Sequence, residues 1–165
     1  GYTDMPEYTA GLNTGFSWKN FDFSMQWTGA WNVDRMLDEF RRPLGDTNEK
    51  GLLLYQYDTT WRSSADTFTA KFPRTSSLHA SNNYAGSDLY LINASYLRLK
   101  SVEIGYNFNF PFMKKLKMDN CRLYVNGYNL ITITGFKWGD PESRQSSRPN
   151  YPLTRVFNIG LKLGF

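Results

Sequence analysis

The chain has 165 residues, 19 basic against 15 acidic side chains for a net charge of +4, a single cysteine, and 11 Tyr, 12 Phe and 5 Trp. That length suffices for one domain with a sizeable core, while the scattered charge, gathered only at Lys114, Lys115 and Lys117, excludes the contiguous basic stripe of a nucleic-acid groove. The lone Cys121 excludes an internal disulfide framework, and aromatics set among many Gly, Asn, Ser and Thr favour strands and turns over helices.

Gly1 to Glu7 has neither the basic start nor the apolar run of a signal peptide, and no stretch is long enough for a transmembrane helix. Neither point excludes a membrane barrel, whose strands spread apolar residues over alternate positions. From 8 to 19 the even positions carry Tyr8, Ala10, Leu12, Thr14, Phe16 and Trp18, and the odd ones are mostly polar. After a tight corner at Lys19 and Asn20, a strand over 21–31 puts Phe21, Phe23, Met25, Trp27 and Trp31 on one face, which predicts a hairpin with a very short turn. Residues 32–93 form a long excursion rich in Asp, Ser, Thr and Asn. Within it Val33, Met36, Leu37 and Phe40 fall at helical spacing behind Asp34, predicting a short helix that packs on its own loop or docks a partner.

The next strand, 94–108, carries Leu97 and Leu99 in odd phase, then Val102, Ile104, Tyr106 and Phe108 in even phase, so a bulge is expected near Lys100 and Ser101. Pro111 ends that run, and a lysine-bearing turn leads to a fourth strand over 121–133. There Leu123 and Val125 oppose Arg122, Tyr124, Asn126 and Tyr128, and Asn129 falls on the apolar side. A second polar loop, 134–152, holds Trp138, Asp140 and Pro141 before the last strand, 153–165, in which Phe157, Ile159, Leu161, Leu163 and Phe165 alternate with smaller or polar residues.

The connections run very short, very long, short, long, so strands of alternating direction place every short turn at one end and every long loop at the other. That is the layout of an outer-membrane barrel, and it sets the C-terminus at the periplasmic face. A tilted spanning strand needs about nine to eleven residues, and bacterial single-chain barrels have at least about eight strands. Five open strands would expose unpaired backbone to lipid, so the chain is expected to be the last part of a longer one.

The stretches NASYLRLKSVEIGYNFNFP, CRLYVNGYNLITIT, DPES and YPLTRVFNIGLKLGF, in that order, resemble the C-terminal end of the SusC/RagA family of TonB-linked outer-membrane transporters. YTAGLNTGFSWKNFDFSMQWTGAW is similar to the family's preceding hairpin, and Trp61 with Phe72 to Arg74 resembles its variable loop, the rest of 32–93 aligning only at scattered points. The resemblance implies an all-β fold, an antiparallel transmembrane segment of a plugged barrel of about 22 strands with long extracellular loops. It implies uptake of oligosaccharide or peptide with a SusD-like surface lipoprotein, driven by the TonB complex through upstream segments that this sequence lacks. It also implies that Asn158, Gly160, Leu163 and Phe165 form a signal for the barrel-assembly machinery, which grips a strand edge by pairing with it.

On this reading Arg98, Arg122, Tyr124, Asn126 and Tyr128 look into the lumen, where they touch substrate or serve as wall residues bonded to plug or water. Trp61 and Trp138 sit in outer loops, stacking on sugar rings or packing within the loop or against the lipoprotein. Trp18, Trp27, Trp31 and Tyr106 face outward, as aromatic girdles at the lipid interfaces do. No enzyme activity, cofactor or metal is expected. His79 stands alone in a polar stretch, and Asp38 with Glu39 or Asp140 with Glu142 have no spacing that demands catalysis or calcium. Gly11 and Gly15 mimic a helix-dimer motif on what is a strand. The alternative is a soluble β-sandwich carbohydrate-binding module, whose aromatics would face one another across two sheets.

Overall fold

A computed structural model describes residues 1–37, 51–75, 83, 85–111, 117–143 and 153–165. Wherever apolar and polar residues alternate, the chain forms a strand with one apolar and one polar face. Strands β1 (Tyr8–Trp18) and β2 (Phe21–Trp31) are joined by Lys19 and Asn20, with Lys19 at a φ of 53°. Their register sets Leu12 opposite Trp27, Phe16 opposite Phe23 and Trp18 opposite Phe21. Apolar therefore meets apolar across the hairpin, the Phe16 and Phe23 rings lying 5.4 Å apart.

The chain continues through β3 (Asp34–Met36), helix α1 (Leu54–Thr59), β4 (Leu91–Asn93), β5 (Tyr96–Phe108), β6 (Asn120–Thr134) and β7 (Val156–Gly164). Five strands make one antiparallel sheet in the order β1-β2-β5-β6-β7, and β3 pairs with β4 in a separate ribbon. At 11, 11, 13, 15 and 9 residues, the sheet strands have the length of tilted membrane-crossing strands. The first strand of the second half begins at Tyr96 rather than 94, and the last at Val156 rather than 153.

The helical reading of Val33, Met36, Leu37 and Phe40 is overturned. Asp34–Met36 is a strand, with Arg35 opposite Ile92, and Phe40 lies outside the described residues. Local spacing allowed a helix, but the backbone donors find distant partners instead. Asp34 N–H donates to Thr3 O at 3.0 Å and Leu37 N–H to Tyr90 O at 3.0 Å. Among the described residues of the excursion, an α-helix forms at α1, where the sequence predicts only loop.

The phase slip in β5 is a bulge. Gln26 faces Ser101 and Trp27 faces Leu99, leaving Lys100 as the extra residue, and on β6 both Asn129 and Leu130 stand between Tyr128, opposite Ser101, and Ile131, opposite Leu99. Asn129 takes a φ of 54° to make that step, a conformation that Asn tolerates better than most residues. The bulge returns Leu97, Leu99, Ile131 and Ile133 to the apolar face and aligns Arg98 with Thr132 on the polar one.

No other described segment covers most of the apolar face of the sheet. Ile159 is 78% and Phe157 71% exposed, and Leu12, Phe16, Trp18, Val125 and Leu161 are likewise open. A sandwich would need a second sheet against this face, and the other sheet among the described residues is the three-residue ribbon β3–β4. The sandwich alternative is therefore set aside. Among the described residues no helix is long and apolar enough to cross a membrane, which says nothing about crossing by strands.

The buried core lies at one end, among the long connections. Val33, Leu37, Tyr90, Ala94 and Phe136 form it, with Met36, Tyr55, Phe72, Ile92 and Trp138 packed around. It joins the β2–β5 excursion to the β6–β7 loop. The ring of Trp138 lies 4.5 Å from that of Tyr55, and Phe72 stacks on Tyr90 at 5.9 Å.

Candidate functional site

The polar face carries a continuous hydrogen-bonded layer across four strands. Arg122 on β6 is its centre: Nε donates to Asp22 Oδ1 at 3.1 Å, and Nη2 donates to Glu103 Oε1 at 2.7 Å and to Asp22 Oδ2. Asn107 Nδ2 reaches Asp22 Oδ1 at 3.3 Å, Asn126 Nδ2 reaches Glu103 Oε2 at 3.2 Å, and Asn158 Nδ2 reaches Asn126 Oδ1 at 2.9 Å. The layer therefore runs from β2 through β5 and β6 to β7. Two carboxylates meet one guanidinium, so it carries a surplus negative charge. The sequence did not mark Asp22, Glu103 and Asn107 as site residues, although each sits in polar phase and Glu103 and Asn107 lie opposite Asn126 and Arg122.

Tyr124 lies flat in the same layer. Its ring packs under the Arg122 guanidinium at 5.2 Å and over Gly160 on β7. A Cβ on Gly160 would meet the ring at 2.2 Å, so only hydrogen fits there. Gly105 is covered in the same way by Arg122. Glycines on the polar face thus let large side chains lie along the wall rather than project from it. Tyr128, opposite Ser101 and Val156, is the more exposed aromatic of this face.

Arg98 is placed differently from the other polar-face residues. It is 2% exposed, with Nη2 on Asp140 at 2.7 Å, Nη1 on Glu142 at 2.8 Å and Nε on Thr132 Oγ1 at 3.0 Å. The Asp-Pro-Glu-Ser stretch is thus a clamp on the wall. Asp140 Oδ1 also accepts from Glu142 N, Oδ2 accepts from Leu153 N, and Ser143 N closes the turn on Asp140 O. Burial pushes the Asp140 carboxyl up, but the Arg98 hydrogen bond, the two backbone donors and the Arg98 charge outweigh it and hold the group below the ordinary carboxylate range.

The two outer tryptophans diverge. Trp138 packs on Tyr55 beside the loop core. Trp61 N–H donates to Phe72 O at 2.9 Å and Thr60 bridges Phe72, which brings together two pieces of the family-like variable loop. At the other end Leu163 faces Cys121 on the apolar side, and Phe165 follows β7, 82% exposed. His79, Asp38, Glu39, Lys114 and Lys115 lie outside the described residues. Among the described residues no three His, Cys, Asp or Glu are grouped to hold a metal. The face is a polar wall on which Arg122, Asp22 and Glu103 are paired laterally.

No family model matches the chain. It is 29% identical to the TonB-dependent receptor P3 of Formosa agariphila over 97% of its own length and 16% of that protein. It is 28% identical to the TonB-dependent receptor SusC of Bacteroides thetaiotaomicron over 94% of its length and 15% of that protein. Among solved structures, the RagAB peptide transporter superposes with a TM-score of 0.73 at 23% identity, over 99% of this chain and 18% of that one. The chain therefore spans 15–17% of the length of the curated relatives it matches. Along nearly all its residues, with an open antiparallel sheet of one apolar and one polar face, the chain is thus similar to a barrel segment of TonB-dependent receptors of the SusC and RagAB type.

Proposed function

We infer that this segment is the C-terminal part of the barrel of a nutrient importer, which takes up oligosaccharide or peptide with a SusD-like lipoprotein and draws energy from the TonB complex through segments upstream. The observation that carries this reading is the arrangement of connections on a two-faced sheet. The Lys19–Asn20 turn and the ends of β5 and β6 at Phe108 and Asn120 lie at one end, and the core-bearing β2–β5 and β6–β7 connections lie at the other. Lipid would take the apolar face, and the lumen would take the layer around Arg122, Tyr124, Asn126 and Tyr128. With long loops outside, β7 runs toward the periplasm.

Deleting the gene for the full-length protein tests the activity. Loss of growth on either peptides or oligosaccharides as sole nutrient supports import and names the cargo, and co-isolation of a surface lipoprotein with the tagged receptor supports the partner. Unchanged growth on both overturns import. The assembly role of Asn158, Gly160, Leu163 and Phe165 has its own test: Phe165→Ala lowers the receptor recovered in the outer membrane, and undiminished recovery overturns that role.

A further inference from the structure

Beneath the β6–β7 loop, a cavity of about 210 Å³ opens where the polar face meets the start of β7. Asn129, Thr132, Gly139, Pro141, Leu153 and Arg155 are among the residues that line it. Pockets that hold whole small ligands run roughly 300–1,000 Å³. This one takes a single terminal residue or sugar unit.

Its polar groups are not all used by the fold. Asn129 is locked in the bulge and its Nδ2 donates to Thr154 O at 3.3 Å, while its Oδ1 is buried with no partner. A buried acceptor left empty is costly and calls for a donor. Thr132 Oγ1 accepts from Arg98 Nε, so its own proton is free to be donated. Asp140 and Glu142 are engaged by Arg98, and Glu142 also faces Lys100 at 3.7 Å. Arg155 has no carboxylate partner among the described residues. Three cations, Arg98, Lys100 and Arg155, thus stand against two carboxylates, Asp140 and Glu142, and the unmatched guanidinium of Arg155 lines the cavity alongside the mutually paired Arg98 and Asp140.

We propose that this cavity is a subsite for a carboxylate that carries an N–H or O–H donor beside it. Arg155 and Thr132 donate to the carboxylate, Asn129 Oδ1 accepts from the neighbouring donor, and Leu153 and Pro141 line the apolar remainder. Two kinds of cargo carry that chemistry: the C-terminal residue of a peptide and a uronic acid unit of an oligosaccharide. As a cargo contact, the assignment rests on the import reading above.

The test uses the full-length receptor purified from the outer membrane in detergent, titrated calorimetrically with trialanine and its C-terminal amide, and with digalacturonate and its methyl ester. The expected result is that one acid binds about tenfold or more tightly than its neutral partner. Arg155→Ala abolishes the preference, and Arg155→Lys restores part of it. Which acid is preferred names the source. Asn129→Gly, which keeps the left-handed backbone and removes the acceptor, weakens binding of that acid independently, should Arg155 variants assemble poorly. Equal binding of acid and neutral forms in both pairs, or a preference that survives Arg155→Ala, overturns the subsite. Gene-dependent uptake with binding blind to the acid retires the subsite and leaves import standing, whereas acid-selective binding with unaltered growth of the deletion strain retires import and leaves the subsite.

Discussion

Removing the Asp140 carboxylate should release the β6–β7 loop from the wall while the barrel stays assembled. Arg98 and Asp140 have side chains only 2% and 8% exposed, and removing one member of such a buried pair strands the other charge, at a cost of about 3–5 kcal/mol. Glu142 is 43% exposed and shares its charge with Lys100, so losing it costs about 0–1 kcal/mol. The two acids sit on the same guanidinium, yet their predicted effects differ several-fold. Because the affected contacts lie at the loop, the cost appears as local opening rather than global unfolding. Three kcal/mol raises an opening equilibrium roughly a hundredfold, and one kcal/mol only about fivefold. The assay is trypsin cleavage after Lys137 in the full-length receptor, mapped by mass spectrometry, under conditions where cleavage follows the open population. Asp140→Ala should accelerate it about a hundredfold and Glu142→Ala about fivefold or less. Equal acceleration would refute the argument that burial decides the pair.

Burying a charge in lipid should discriminate the faces: Val102→Arg, central on the apolar side, costs about 2–4 kcal/mol by urea unfolding in bilayers, and Leu161→Arg, nearer the short-turn end, costs less. Asn126→Arg is tolerated better than either, and equal costs would sink the face assignment. Gly160→Ala forces the Tyr124 ring aside and costs about 1–3 kcal/mol, with Tyr124→Ala relieving it in a double-mutant cycle; independent effects would show that the ring does not set the glycine. The clamp should also depend on acid. The Asp140 carboxyl sits below its ordinary value of 3.8, so its stabilisation is complete above that value and disappears as pH falls through the lower folded one. Pepsin cleavage in 135–143, normalised to an unfolded peptide, therefore rises below about pH 4, and the same step persisting in Asp140→Asn would assign it to another group.

The sheet was legible in the sequence because each of its residues meets one of two environments. Period two told the faces apart, the faces fixed the register of Phe16 on Phe23 and Leu12 on Trp27, and a phase change located the bulge at Lys100. The loops were less legible, since their partners are set by long-range contacts that no local period records. Asp34–Met36 looked helical until Leu91–Asn93 claimed its backbone. The Arg98 clamp lies across 42 residues to Asp140, and the only hint was an arginine at a strand's polar position with an acidic pair in the following loop. Trp138 carried no signal separating a cargo platform from a packing residue, and the structure sets it against Tyr55.

The placement of the core follows from the same two environments. A wall strand needs no partner sheet, because lipid accepts its apolar face and the hydrophobic effect does not act between that face and hydrocarbon. The long connections stand in water and must bury their own apolar residues, which is why the core gathers Val33, Leu37, Tyr90, Ala94 and Phe136 and leaves Phe157 and Ile159 open. Where wall becomes loop, neither solution is complete, and the chain instead buries polar groups in pairs. Arg98, Asp34, Arg35, Gln56 and Thr60 are all buried around this junction or in the loop body beyond it. Such groups hold their place only while their partners do, so the junction joins a lipid-supported wall to a self-supported loop through a few replaceable contacts. A single carboxylate can therefore release the loop without loosening the strands, and the wall and the loop should be separable by mutation.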